Sequence, residues 1–174
     1  MRRTRSTPNT EATRLSPEEI RKRTFERAAK LLAAKPRSIT ELRERLLEKS
    51  TASIVDTVIS RLKEYGYLDD ERFALSYASL KVKQKPIGRR RLARDLKFKK
   101  VAESVADEAL TLVYSETSEA ELIDRAIEKR TRLRGRPQNQ KEAKSLFDHL
   151  LRQGFPFELV IEKVRAISKY NDDE

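Results

Sequence analysis

Ser38-Ile39-Thr40-Glu41-Leu42-Arg43-Glu44-Arg45-Leu46-Leu47 is the stretch on which the reading of this 174-residue chain turns. Ser38 and Glu41 have the spacing of a capping box, and Ile39, Leu42, Leu46 and Leu47 then fall on one face of a helix. The leucine pair recurs as Leu92 and Leu96, fifty residues on, and as Leu146 and Leu150, fifty-four further. A short break follows each pair at the same distance, at Ser50-Thr51, Lys100-Val101 and Gly154-Phe155, before another apolar helix. One helix with the same surroundings three times over predicts three degenerate repeats.

Outward from these pairs, the same spacings of three and four run from Glu18 to Lys169, with no sustained period-two alternation and no hairpin turn. Ser16-Pro17-Glu18-Glu19 opens a first helix that should reach about Ala34. Ile54, Val55, Val58, Ile59 and Leu62 define a third helix, closed by Gly66 in a left-handed conformation. Asp69-Asp70-Glu71 starts a fourth with Phe73, Ala74, Tyr77 and Ala78 on its apolar face. Leu92 and Leu96 mark a fifth. Val101, Val105, Ala109, Leu112 and Val113 mark a sixth. Ser118 with Glu121 caps a seventh, Asn139 with Glu142 an eighth, and Pro156 begins a ninth. The fold is expected to be all α: nine helices as three tandem three-helix repeats, stacked end to end in an elongated, curved arrangement. The expected divisions are a basic, disordered N-terminal tail over 1–16, repeats over 17–68, 69–117 and 118–169, and an acidic tail over 170–174.

The chemical inventory argues against catalysis. There are no cysteines and one histidine, His149, which excludes a disulfide framework, a thiolate nucleophile and a zinc site built on several such ligands. Asp69-Asp70-Glu71 is the one conspicuous carboxylate cluster, and at a helix start it reads as capping rather than as an acid-base pair. No glycine-rich phosphate loop is present. We therefore expect no enzyme activity, no cofactor, no metal and no small-molecule substrate. Without a signal peptide or an apolar run of about 20 residues, no membrane association is expected, and the cytoplasm is the expected location.

Charge is what stands out. Lys+Arg number 39 against 28 Asp+Glu, a formal net charge of +11. Lys81, Lys83, Lys85, Arg89, Arg90, Arg91, Arg94, Lys97, Lys99 and Lys100 face Asp95 alone within twenty positions of the middle repeat. A second cluster, Arg125, Lys129, Arg130, Arg132, Arg134, Arg136 and Lys141, faces only Glu128. Runs of one sign, rather than pairs at i, i+4, point to a polyanion: a nucleic-acid backbone or a protein filament carrying one. Phe98 is the only aromatic residue inside the first run, so the sequence lacks the interleaved pattern of a single-strand stacking platform, and base-specific readout is unsupported.

Tyr65-Gly66-Tyr67-Leu68-Asp69-Asp70-Glu71-Arg72-Phe73-Ala74 resembles the signature of the RecX family, regulators of the bacterial RecA recombinase. Pro36 to Leu42 with Leu46 is similar to that family's first-repeat motif, Ile87 to Leu92 with Leu96 to its second, and Leu150 to Phe155 to its third. The resemblance implies tandem three-helix repeats and a non-enzymatic regulator that binds the RecA filament on DNA and inhibits strand exchange, ATP hydrolysis and SOS coprotease activity. The runner-up is a helical module that binds single- or double-stranded DNA directly. Within the signature, Gly66, Tyr67, Leu68, Asp69, Asp70, Arg72, Phe73 and Ala74 read as mainly structural, with Phe73 and Tyr77 in the core. Where the family commonly has Lys-Gly, this chain has Lys99-Lys100-Val101, and a left-handed cap at Lys100 would cost about 1 kcal/mol relative to glycine.

Overall fold

Ser16 opens the first helix as its surroundings predict. In the computed structural model, which describes residues 15–168, its hydroxyl accepts from the Glu19 amide at 3.2 Å, while the Glu19 carboxylate takes the Ser16 amide at 2.7 Å. The basic N-terminal tail up to residue 14 and the acidic C-terminal tail lie outside the described residues. Among the described residues there are nine helices and no strand: α1 Pro17–Ala34, α2 Ile39–Leu47, α3 Ala52–Glu64, α4 Asp70–Gln84, α5 Arg89–Phe98, α6 Glu103–Glu116, α7 Glu119–Arg134, α8 Gln140–Arg152 and α9 Phe157–Ile167. None of them is long and apolar enough to cross a membrane.

The helices pack as three trios. α1, α2 and α3 touch one another, α6 packs on both α4 and α5, and α7, α8 and α9 form the third group. The repeated leucines sit at the centres: Leu42, Leu46, Leu92, Leu96 and Leu150 are completely buried and Leu146 nearly so. Each trio is closed by hydrogen-bonded turns. Tyr67 donates its amide to the Leu62 carbonyl at 2.9 Å and Gly66 to Lys63 at 2.9 Å, with Gly66 at φ 69°, the left-handed closure expected after α3. The turn after α5 has the same form: Val101 donates to Leu96 at 3.2 Å and Lys100 to Lys97 at 2.9 Å. Lys100 therefore keeps the left-handed conformation, at φ 60°, without glycine.

Two junctions join the trios in series, and they are built alike. At the first, the start of α2 meets the end of α5. The buried Ser38 hydroxyl donates to the Lys99 carbonyl, the Lys100 ammonium pairs with Glu44, and the Ile39 amide donates to the Asp70 carboxylate at 2.8 Å. At the second, the start of α5 meets the end of α8. Gly88 donates its amide to the Gln153 carbonyl at 3.0 Å, Arg90 to Gly154 at 3.3 Å, and the Arg89 amide to the Glu119 carboxylate at 2.8 Å. The middle helices α2 and α5 thus each have an orphan N–H satisfied by the first residue of the following trio's first helix, an acid in both cases. The contact is closest at the second junction, where a Cβ on Gly88 would lie 2.3 Å from the Gly154 backbone.

Leu47 and Leu112, which the periodicity put on inner helix faces, are exposed, and three further details depart from the sequence reading. Ser118 makes no side-chain cap bond, so the box expected with Glu121 does not form; the acid beside it, Glu119, is turned to the neighbouring trio. Glu41 does not complete a capping box with Ser38; its carboxylate pairs with Lys35 at 3.3 Å and with Arg37. Phe73 and Tyr77 are half-buried rather than central. Ala74, Ala78 and Val82 fill the inside of α4, and the two rings stack on each other at its rim, 6.1 Å apart.

Candidate polyanion-binding surface

α5 is an amphipathic helix whose inner face is spent on Leu92 and Leu96, both fully buried. Residues 90, 94 and 97 fall on the opposite face by helical periodicity, and Arg90, Arg94 and Lys97 are all exposed there. Lys83 and Lys85, at the end of α4 and just beyond it, are exposed as well. Among the described residues Lys83, Lys85, Arg90 and Lys97 form no ion pair, so their charge is directed at solvent.

The remaining members of the first basic run are engaged within the fold. Arg89 pairs with Asp107 at 3.1 Å and bonds the Thr111 hydroxyl at 3.0 Å. Arg91 pairs with Asp95 at 3.3 Å, and Lys100 with Glu44 of the first trio. Lys81 and Lys99 approach the Tyr77 ring, at 5.3 and 5.9 Å from its centroid. Arg91 and Arg94 both donate to the Arg152 carbonyl, at 3.3 and 3.4 Å, which ties the α5 surface to the C-terminal end of α8.

There the second basic cluster arrives. Arg125, Lys129, Arg134 and Arg136 are exposed, Arg132 pairs with Glu128 at 2.6 Å on its own helix, and Arg130 is half-buried with its guanidinium on the Ser145 hydroxyl at 3.0 Å. Lys85 from before α5, Lys129, Arg130 and Arg134 from α7, and His149 from α8 line one cleft of about 190 Å³. Lys85 of the first run therefore meets Lys129, Arg130 and Arg134 of the second in one cleft at the junction of the second and third trios. Burial, and then the Arg130, Arg152 and Arg134 guanidiniums, hold the His149 imidazole below its ordinary range.

The sequence reading missed Arg152 and His149 as members of this face, because α8 carries no run of like charge; only the packing of its end against α5 and α7 brings them in. It also missed an aromatic and basic groove of about 550 Å³ at the first junction, where exposed Tyr67 and half-buried Phe73 and Tyr77 lie beside Arg37, Arg72 and Lys99. Those residues come from three separate segments, so no local pattern announces them. In the signature motif, Leu68 and Ala74 are buried, Asp69 accepts from the Arg72 amide at 3.0 Å, and the Arg72 guanidinium donates to the Gly66 carbonyl. Asp70 reaches to the other trio, and burial raises its carboxyl against the opposing effect of the Ile39 hydrogen bond.

Comparison with known proteins bears on this arrangement. Family models described as the first and second three-helix domains of RecX match residues 25–62 and 69–110. The regulatory protein RecX of Chlorobium limicola is 32% identical over 142 residues, covering 80% of this chain and 86% of that protein. Its namesake from Bacillus licheniformis is 29% identical over 153 residues, covering 87% of this chain; the chain spans 58% of that relative's length. Among solved structures, the crystal structure of RecX from Lactobacillus salivarius superposes with a TM-score of 0.74 at 17% identity, over 86% of this chain and 97% of that one, a likeness of fold.

Proposed function

The chain belongs to the RecX family of regulatory proteins, and from that premise we propose that it binds the RecA nucleoprotein filament and restrains its ATPase, strand-exchange and coprotease activities by occupying it, without chemistry of its own. The observation that carries the reading is the set of exposed cations without ion-pair partners among the described residues, Lys85, Arg90, Arg94 and Lys97, together with the cleft at the second junction in which Lys85 meets Lys129, Arg130 and Arg134 and no carboxylate. Like-signed charge spread over several helices suits a long polyanion better than a small ligand. The serial joining of the trios by two similarly built junctions is compatible with an extended partner.

The test is RecA's DNA-dependent ATPase on single-stranded DNA, with the protein added from substoichiometric to stoichiometric ratios and a naked-DNA binding control alongside. Inhibition at ratios too low to coat the DNA is expected. A combined Lys85→Glu, Arg90→Glu and Lys97→Glu variant should lose most of it while keeping the wild-type helical spectrum, because those side chains hold no partner in the fold. Undiminished inhibition by that folded variant would reject the face. Tight, steeply salt-dependent binding to naked DNA with no effect on the ATPase would instead establish a DNA-binding module that acts without RecA.

A further inference from the structure

The cleft at the second junction has a composition that the fold alone does not call for. Lys85, Lys129, Arg130 and Arg134 line it together with His149, and no carboxylate does. Among the described residues, none of these four cations has an ion-pair partner. The one polar bond that engages Arg130's side chain goes to a neutral hydroxyl, Ser145, at 3.0 Å. Groups of like charge gathered in a partly buried space repel one another: burial first, and then the Arg134 and Arg152 charges, lower Arg130, and burial followed by Arg130, Arg152 and Arg134 lowers His149. Arg94, reaching the Arg152 carbonyl from α5, adds one more cation nearby, unpaired among the described residues, while Arg91, on the same carbonyl, is paired with Asp95. On α8 itself, Asp148 neighbours the histidine in sequence but does not line the cleft. At about 190 Å³ the space exceeds the ~30 Å³ of one water several-fold and has room for a tetrahedral oxyanion with part of its hydration.

We propose that this cleft is a phosphate-binding site, in which Lys85, Lys129, Arg130 and Arg134 supply fixed charge and His149 becomes a further donor once the anion is seated. Guanidinium forks match the oxygen geometry of a phosphate, and an imidazolium adds a hydrogen bond that the neutral ring on its accepting side does not. The ligand chemistry is a phosphate oxyanion, whether free or as a phosphodiester of a nucleic acid. The site rests on the reading of this face as polyanion-facing, but its test follows the imidazole rather than the filament, so the two fail separately. Linkage then requires that the anion raise the His149 pKa and bind more tightly as pH falls through it.

His149 is the chain's only histidine, so its ring resonances in an NMR pH titration report this cleft without assignment ambiguity. The full chain is titrated at constant ionic strength in chloride, then with inorganic phosphate, then with a short oligothymidylate. In chloride alone the midpoint should lie below the ordinary imidazole value. Phosphate or the oligonucleotide should raise it by about one unit, equivalent to a tenfold preference of the anion for the protonated ring. A rise with inorganic phosphate assigns a site for a single phosphate group; a rise with the oligonucleotide alone assigns a phosphodiester held as part of a chain. Arg130→Gln and Arg134→Gln should do two opposite things: raise the midpoint in chloride, by removing like charge, and shrink the anion-induced rise. Lys129→Gln, on an exposed side chain, provides a second variant with no packing role. A midpoint that neither anion moves, or an equal rise in the arginine variants, overturns the site, and persistence of RecA inhibition would leave the filament reading intact.

Discussion

Asp70 shows how one side chain serves two units. It is the first residue of α4, yet its carboxylate accepts the Ile39 amide of α2 at 2.8 Å, while Asp69 does the capping of α4 itself. Removing the acceptor in Asp70→Ala leaves a part-buried N–H unpaired and should destabilise the chain by about 1–2 kcal/mol in chemical denaturation. Asp70→Asn keeps an acceptor without the charge. Because burial raises this carboxyl in the folded state, ionising it opposes folding, so the stability it contributes is present below its unfolded pKa and declines as pH rises through the folded value. Asp70→Asn should accordingly equal or exceed the parent at neutral pH and lose that advantage in acid. Lys100 carries the other residue-scale prediction. Its left-handed backbone disfavours any side chain by about 1 kcal/mol relative to glycine. Its exposed pair with Glu44 returns roughly half of that. Lys100→Gly should be mildly stabilising, by about 0.5 kcal/mol, and more so in a Glu44→Gln background, as read from urea midpoints.

Between elements, the two junctions differ in how closely backbone meets backbone. Ser38 and Lys100 occupy at the first the places that Gly88 and Gly154 occupy at the second. A Cβ on Gly154 would lie 2.3 Å from the Arg91 backbone nitrogen, and Gly154 is itself at φ 91°. Neither neighbour is the flexible end of a side chain, so Gly88→Ala and Gly154→Ala should each destabilise by roughly 3 kcal/mol, with exposure of Phe155 increasing the binding of a hydrophobic dye. Helix starts also differ in what their caps are worth. Asn139 accepts the Glu142 amide at 2.9 Å, so Asn139→Ala should lower stability by about 1 kcal/mol. Ser118→Ala should be nearly silent, since that hydroxyl caps nothing.

Across the whole molecule the hydrophobic interior is not divided evenly. The second and third trios share one continuous cluster of buried side chains from Ala74 to Val164, whereas the first trio has its own, from Ala28 to Leu68. The first junction is held by hydrogen bonds and an ion pair, and the buried side chains on its two sides form separate clusters. Native-state hydrogen exchange should therefore show α1–α3 opening at lower free energy than α4–α9, which should exchange as one unit; equal protection throughout would contradict the division.

The order of helices, their trios and most of their ends were legible in the sequence because they rest on local chemistry. Ser16, Asp69 and Asn139 cap within three residues, Gly66, Gly135 and Gly154 take the left-handed positions that end helices, and the leucine pairs mark the inner faces. The two basic runs were equally plain as composition. Which of those charges remain available was not, because Asp107, Asp95 and Glu44 neutralise Arg89, Arg91 and Lys100 through packing or the helical turn. Nor was the meeting of Lys85 with Arg130, Arg134 and His149, which depends on the end of α8 resting against the start of α5 at Gly88. Helix formation is decided by neighbours three and four residues apart, and the sequence alone determines it. A cleft of like charges is decided by which helix ends touch, and that only the tertiary structure settles, since nothing in the separate segments requires them to meet.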